Sequence, residues 1–300
     1  MTIPWSRRAF LQRAACLVAA AAVPGCAAPA TGGSLAEGNA TLATARAAGV
    51  LSIGIANEAP YGFTDAAGNV TGEAVEVART VLARIGVPAI RAVTVDFGEL
   101  ISGLTLAHQF DMIAAGQFIT PERCEAVAFS VPDYTAPTGF LVARGNPQGV
   151  RTFDDIRDRG LRLAVLGGAV ELRFALDSGV PAAQVLELPD QQALLQAVST
   201  RQVDAAALTT ISLRYAVANA PEVAVEVTPG FFPVINGQPV VSAGAFGFRP
   251  GDDELREAVD TELTAMHQSG EWLRIAEPFG FGPDNVPGPE LTTESLCLGA

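Results

Sequence analysis

Between Phe118 and Arg123 the chain sets an aromatic ring, a hydroxyl and a guanidinium within six positions, Phe118-Ile119-Thr120-Pro121-Glu122-Arg123. The apolar run 112–115 before it reads as a buried strand, and Gly116 as the point where the backbone turns. Thr120, Pro121 and Glu122 carry the signals of a helix start: an N-cap, a proline at the first helical position and an acid in the first turn. In open α/β sheets, ligands bind beyond the carboxyl ends of strands. Free helix N–H groups beside an Arg fork suit a carboxylate. The alternative is a capped helix whose Arg is merely solvated. A second glycine turn leads into a helix at Gly167-Gly168-Ala169-Val170-Glu171. There Glu171 reads as a first-turn acid favoured by the helix dipole rather than as a ligand contact.

The elements that must hold these turns alternate along the chain. Segments 50–56, 90–95, 112–115, 126–129 and 139–143 read as strands, with helices over 72–85 and 99–106. Gly145-Asn146-Pro147 marks a lobe boundary. Strands 161–166, 185–188 and 204–208 then alternate with helices 169–178, 190–200 and 210–218. A strand over 240–248 leads back, followed by an amphipathic helix over 252–268 and a terminal helix over 272–279. The alternation predicts an α/β fold in two lobes, each a mostly parallel sheet flanked by helices.

The first residues carry a different message. Trp5-Ser6-Arg7-Arg8-Ala9-Phe10-Leu11, then Arg13, precede an apolar stretch over 14–23 that is too short for a stable transmembrane helix. The pattern resembles a twin-arginine export signal, which is an address and not an anchor. Val23-Pro24-Gly25-Cys26 resembles a lipoprotein signal-peptidase site, which makes Cys26 a lipidation candidate; Pro24 departs from the usual small residue. The alternative is cleavage near 27–30 and a free soluble protein. Residues 1–25 are thus expected to be removed, and 26–40 to form a flexible tether. No later apolar run is long enough to cross a membrane.

All 19 basic residues are Arg, against 32 acids, for a net charge of −13. Loss of residues 1–25 removes three arginines and no acid, so the balance falls to −16. Such a surface repels nucleic acid and anionic membranes. Two His and no close Cys pair argue against a zinc site, and no Walker pattern is present for ATP. In an oxidising compartment Cys124 and Cys297 are expected to form a disulfide tying the C-terminal tail to the first lobe. The alternative is one buried thiol and one loose one.

The order of the pieces resembles the extracellular solute-binding proteins that serve polar amino-acid ABC importers. The markers are Val50-Leu51-Ser52-Ile53-Gly54, the 110–123 stretch, Phe129-Ser130-Val131-Pro132-Asp133-Tyr134, Val203-Asp204-Ala205 and Gly270-Glu271-Trp272. Within that family the chain most resembles the ectoine and hydroxyectoine binders, through Gly54-Ile55-Ala56-Asn57-Glu58-Ala59-Pro60-Tyr61, Thr71-Gly72-Glu73-Ala74, 113–125 and Gly168-Ala169-Val170-Glu171. The resemblance implies a type II periplasmic-binding fold whose lobes close on one ligand across a two-stranded hinge. Lobe I is expected over 41–141 and 242–300 and lobe II over 142–241, with crossovers near Leu141 and Ser242.

Ectoine carries a delocalised cationic amidine and a carboxylate. By resemblance, Tyr61, Phe97 and Phe118 form an aromatic box around the cation, Glu58 faces the amidine, and Arg123, with Thr120 beside it, holds the carboxylate. Gly168, Ala169 and Val170 are expected to close the site with backbone N–H groups. Alone, Tyr61 and Phe97 read as loop or core aromatics and Glu58 as an exposed acid. Many amino-acid binders place an Asp after the Val-Asp-Ala strand to hold the α-amino group. Here that place falls near Thr209, which argues against a standard α-amino acid and fits a ligand without a free amine. The expected role is a monomeric, cofactor-free, non-enzymatic carrier that delivers the zwitterion to a membrane permease. The competing readings are a carrier for another amino acid or betaine, a cyclohexadienyl-dehydratase-like enzyme using Glu171 as acid, and a sensor module.

Overall fold

A computed structural model of the protein describes residues 40–235 and 237–299. The expected export signal, Cys26 and the tether up to residue 39 lie outside the described residues. Helix α1 (Thr41–Ala48) leads into strand β1 (Val50–Ile55). The hairpin β2 (Phe63–Thr64) and β3 (Val70–Thr71) precedes α2 (Glu73–Arg84). Next come β4 (Ala89–Thr94), α3 (Leu100–Thr105), β5 (Met112–Phe118) and the one-turn helix α4 (Pro121–Cys124), then the short strands β6 (Ala128–Phe129) and β7 (Tyr134–Thr135). The second lobe runs through β8 (Thr138–Ala143), α5 (Phe153–Asp158), β9 (Leu163–Leu166), α6 (Val170–Asp177), β10 (Val185–Leu188), α7 (Gln191–Ser199), β11 (Ala205–Thr209), α8 (Thr210–Ala218) and β12 (Val225–Val227). A hairpin of β13 (Val234–Ile235) and β14 (Gln238–Pro239) leads back to β15 (Ala243–Phe248), α9 (Asp253–Ser269), α10 (Glu271–Ala276) and α11 (Thr293–Leu298).

These elements form two main sheets, in the orders β4-β1-β5-β15-β6, with β7 also on β15, and β10-β9-β11-β8-β12. In each sheet every strand but one runs the same way. The reversed strands are β15 and β8, antiparallel to both neighbours. Each is also the strand that the chain enters directly after crossing from the other lobe. The architecture is the mixed α/β, two-lobed type II periplasmic-binding fold.

Local outcomes correct several readings. Leu141 is not at a crossover: it pairs with Ala206 and Val227 inside the second sheet. Pairing of β8 with β11 starts at Thr138, so the chain changes lobes at Ala136 and Pro137. The return passes through Val240, Val241 and Ser242, and the strand placed over 240–248 begins only at Ala243 because the preceding residues turn in the β13–β14 hairpin. The terminal helix stops at Ala276 and continues as a 3₁₀ turn around Pro278. Gly116 does not end β5. It has φ +63° inside the strand, near a register slip between Ala245 and Gly247. A Cβ at that glycine would lie 2.5 Å from the Tyr61 ring, so the bulge opens the space that Tyr61 fills. Cys124 and Cys297 form a disulfide with Cα atoms 5.7 Å apart.

The first lobe buries Trp272, Tyr61, Tyr134, Phe246 and Phe248 around α2, α9 and α10. Each large apolar side chain so buried contributes about 1.5–3 kcal/mol. Among them lies an acid pair. Glu73 is fully buried at the start of α2, and neither of its carboxyl oxygens has a hydrogen-bond partner when it is ionised. It faces Asp133, whose Oδ1 accepts from Trp272 Nε1 at 2.7 Å and whose carbonyl lies 2.9 Å from His267 Nε2. Burial raises the pKa of both acids, Asp133 to about 7, and the charge of Asp133 raises Glu73 further. The pair therefore holds a shared proton at neutral pH.

Because both folded pKa values lie above the unfolded ones, the stability of this arrangement is present at low pH and lost as pH rises through the folded values. Glu73→Gln keeps a donor toward Asp133 and removes one titration. Its unfolding free energy in urea is expected to exceed that of the parent by about 1–3 kcal/mol at pH 9, with a difference under about 1 kcal/mol at pH 5. Identical pH profiles for variant and parent would show that the pair does not share a proton.

Candidate functional site

The carboxyl ends of parallel strands from both sheets converge on one pocket. The loop after β1 brings Glu58 and Tyr61, and the turn after β4 brings Phe97. The end of β5 supplies Gly116 and Phe118, and α4 supplies Arg123. From the second lobe come Ala169, Val170 and Glu171 at the start of α6, and Leu208 and Thr209 at the end of β11. This is where an open α/β sheet offers backbone and side chains to a ligand. The cavity they bound is about 20 Å³, room for roughly one water, so the two lobes stand close together around it.

Arg123 joins the two lobes. Its backbone N–H is capped by Thr120 Oγ1 at 3.3 Å. Its Nη1 donates to the Phe118 carbonyl at 2.6 Å and its Nη2 to the Gly168 carbonyl at 2.8 Å. The guanidinium carbon sits 5.7 Å from the centre of the Phe97 ring, a cation–π distance. A guanidinium has five N–H donors, and these two bonds leave others unused. Burial lowers its pKa to about 10, against the opposing charge of Glu171. It remains protonated at neutral pH.

Two acids line the same pocket: Glu171 acts on that cation by its charge, and Glu58 lies near Glu171. Glu58 is 6% exposed, not the exposed acid its sequence context predicts, because the Ala59 carbonyl beside it is closed over by the second lobe. Gln191 Nε2 donates to that carbonyl at 2.7 Å and Ser212 Oγ at 3.2 Å. Burial raises Glu58 to about 8; a hydrogen bond from Ser212 opposes this and the charge of Glu171 adds to it. Glu171 is 1% exposed and one of its carboxyl oxygens has no partner. Burial raises it to about 7, opposed by its own N–H, Arg123 and Thr138. Glu171 is a first-turn acid of α6, as its place in the sequence predicts, and it also lines the pocket.

The aromatic wall is made chiefly of Tyr61 and Phe118, both buried. Their rings lie 5.0 Å and 5.9 Å from that of Tyr134, which backs both. Phe97 also lines the pocket, but it faces Arg123. Tyr61 Oη and Thr209 Oγ1 share a buried hydrogen bond of 2.7 Å across the lobes. Thr209 also caps α8 through Ser212 N–H.

Eight of the ten residues singled out by sequence line the pocket: Glu58, Tyr61, Phe97, Phe118, Arg123, Ala169, Val170 and Thr209. Thr120 and Gly168 stand behind it and hold Arg123. The Ala169 N–H does not face a ligand; it donates to the Leu166 carbonyl at 3.0 Å. Gly116, Leu208 and Glu171 join the wall unannounced. For Glu171 a signal existed, since a strand end, two glycines and a helix start put the first-turn residues over the sheet edge. At Gly168, φ is +78° and a Cβ would lie 2.4 Å from the Cα of Gly98, so the lobes meet glycine on glycine.

A family model described as bacterial extracellular solute-binding proteins, family 3, matches residues 51–283. A protein of Sinorhizobium fredii (strain NBRC 101917 / NGR234), named as a probable amino-acid ABC transporter periplasmic-binding protein, is 35% identical over 263 residues, covering 87% of each chain. The crystal structure of EhuB in complex with hydroxyectoine is similar with a TM-score of 0.77 at 36% identity, covering 86% of this chain and 98% of that one. The ancestral amino acid-binding protein AncCDT-1, a precursor of cyclohexadienyl dehydratase, is similar with a TM-score of 0.69 at 25% identity, covering 80% and 99%. A two-lobed fold with a pocket at its strand ends, a family match over most of the chain and relatives of nearly equal length lead to one conclusion: this chain belongs to the bacterial extracellular solute-binding proteins, family 3.

Proposed function

We propose that the pocket captures ectoine or hydroxyectoine, a compact zwitterion, and that the chain hands it to a membrane permease. The coarser role, solute-binding component of an amino-acid-type ABC importer, is that of the family and of its relatives. Its location is extracytoplasmic, and among the described residues no helix is long and apolar enough to cross a membrane.

The observation that carries the ligand reading is the charge set: one guanidinium opposite two buried carboxyls in a small aromatic-walled space. Arg123 suits a carboxylate, and Glu58 and Glu171 suit the N–H groups of a delocalised cation lying against Tyr61 and Phe118. Thr209, engaged with Tyr61, leaves no acid at the end of β11 for an α-amino group. The similarity to EhuB, solved with hydroxyectoine, points the same way. A second reading rests on Glu171, a buried acid with a pKa of about 7 and a possible general acid, together with the likeness to a dehydratase precursor. Turnover of prephenate or arogenate would favour it over transport.

Calorimetric titration tests the ligand. Ectoine is expected to bind one to one. Arg123→Ala should weaken it by at least about 100-fold, and Phe118→Ala by about 3–30-fold, the worth of one cation–π contact. Tight binding of glutamine or arginine with ectoine silent would overturn the ligand and leave the carrier role.

A cationic ligand favours the ionised form of both acids, which the empty pocket holds protonated below about 8 for Glu58 and about 7 for Glu171. Affinity is therefore expected to rise with pH between 6 and 8.5, with proton release at pH 7 detectable from buffers of different ionisation enthalpy. A flat profile would remove the acids from the cation site.

Gly168→Ala, placed against Gly98, is expected to hold the lobes apart. Affinity should fall by at least about 30-fold with little change in melting temperature, and small-angle scattering should show no compaction on adding ectoine.

A further inference from the structure

Helix α4 carries Arg123 and is the least supported element near the pocket. It has four residues, none of them fully buried as a whole residue, although the Arg123 guanidinium is desolvated between the lobes. A single turn has no stability of its own, since nucleation costs more than one turn of hydrogen bonds returns. Its N-terminal cap is a long hydrogen bond of 3.3 Å from Arg123 N–H to Thr120 Oγ1. Yet the guanidinium one residue from its end must be held to a fraction of an ångström to meet a ligand carboxylate.

The C-terminal segment supplies what α4 lacks. Cys124, the residue after Arg123, is bonded to Cys297 of α11, 173 positions away in sequence. Helix α11 packs on α4, and Gly299 lies against the ring of Pro121. The other side of α11 is fixed to the lobe. Leu296 is buried in the cluster that contains Ile119, Val127 and Phe129, and Thr293 Oγ1 donates to the Ser130 carbonyl at 2.6 Å. So a strap anchored in the first lobe's core grips the arginine helix at both of its ends, through Pro121 and through Cys124.

We propose that the disulfide Cys124–Cys297 and the α11 strap are a positioning device for the binding site: they fix α4 and so aim the Arg123 guanidinium at the ligand carboxylate. The proposal rests on the reading of Arg123 as the carboxylate partner. The disulfide here is not only a brace for the whole chain. Its effect is local, acting on carboxylate recognition more than on the rest of the pocket, because Glu58 and Tyr61 sit on the loop after β1, away from α4, and Phe118, though its carbonyl accepts from Arg123, is held in β5 by pairing with Gly244 of β15.

The test compares the full chain with Cys124→Ser/Cys297→Ser by hydrogen exchange without ligand and by titration with two probes. The probes are ectoine and 2-methyl-1,4,5,6-tetrahydropyrimidine, the same cyclic amidine without the carboxylate. Exchange over residues 119–126 is expected to quicken at least about tenfold, with α2 unchanged. Ectoine should bind at least about tenfold more weakly while the amidine changes less than about twofold. Exchange that stays the same over 119–126, or rises equally there and in α2, would overturn the proposal and leave a global brace. Equal losses for both probes would overturn it as well. If the parent chain does not bind ectoine, the ligand reading fails, and the exchange comparison still decides whether the strap fixes α4. Should the double variant not fold, Leu296→Ala removes the strap's buried anchor with the disulfide kept, and the same exchange readout applies.

Discussion

A desolvated guanidinium between two lobes is the constraint on which the rest of the molecule turns. Arg123 gives up water to bond the carbonyls of Phe118 on one side and Gly168 on the other, with Phe97 against its face. A buried cation of this kind is tolerated only where acceptors and counter-charge surround it. Glu171 is the nearby charge that opposes the desolvation of Arg123, while its own burial raises it to about 7.

The fold delivers these groups without long-range coordination. Each sheet runs its strands one way except for the strand at the lobe junction, so the carboxyl ends of β1, β4 and β5 and of β9 and β11 open toward one another. Functional side chains sit within a few residues of those ends. The reversed strands β8 and β15 follow directly on the two crossing segments, so only a few residues before Thr138 and before Ala243 link the lobes. The glycines at 98 and 168 let the two rims touch by backbone.

Much of this was legible along the chain because it is encoded locally. Thr120-Pro121-Glu122-Arg123 announces a capped turn wherever it occurs, and the alternation of strands and helices determines the α/β class. What escaped depends on partners distant in sequence. Gly116 reads as a turn because its neighbours in sequence permit one; only the pairing with β15 and the Tyr61 ring make it a bulge within a strand. Glu171 reads as a first-turn acid because helix starts favour acids; its burial among residues of both lobes has no local signal. Leu141 looks like a boundary because 145–147 is a loop signal, whereas pairing with β11 claims the strand from Thr138 onward. The buried Glu73–Asp133 pair joins residues 60 positions apart that no local pattern links.

The seam between the lobes bears on how binding energy is used. Tyr61 meets Thr209, Gln191 and Ser212 meet the Ala59 carbonyl, and Arg123 meets the Gly168 carbonyl. None of these bonds involves a ligand. Each is worth about 0.5–1.5 kcal/mol net, so together they offset part of the cost of ordering two lobes against each other. The ligand then has to supply only the difference between open and closed states, and a small molecule with few contacts suffices. The same seam sets a limit on what is admitted. Tyr61 and Thr209 are bonded to each other across the closing edge, so a ligand large enough to separate them would lose that bond and the closure it supports. On the proposed reading, size selection follows from the hydrogen bonds of the rim, and charge selection from Arg123 together with Glu58 and Glu171.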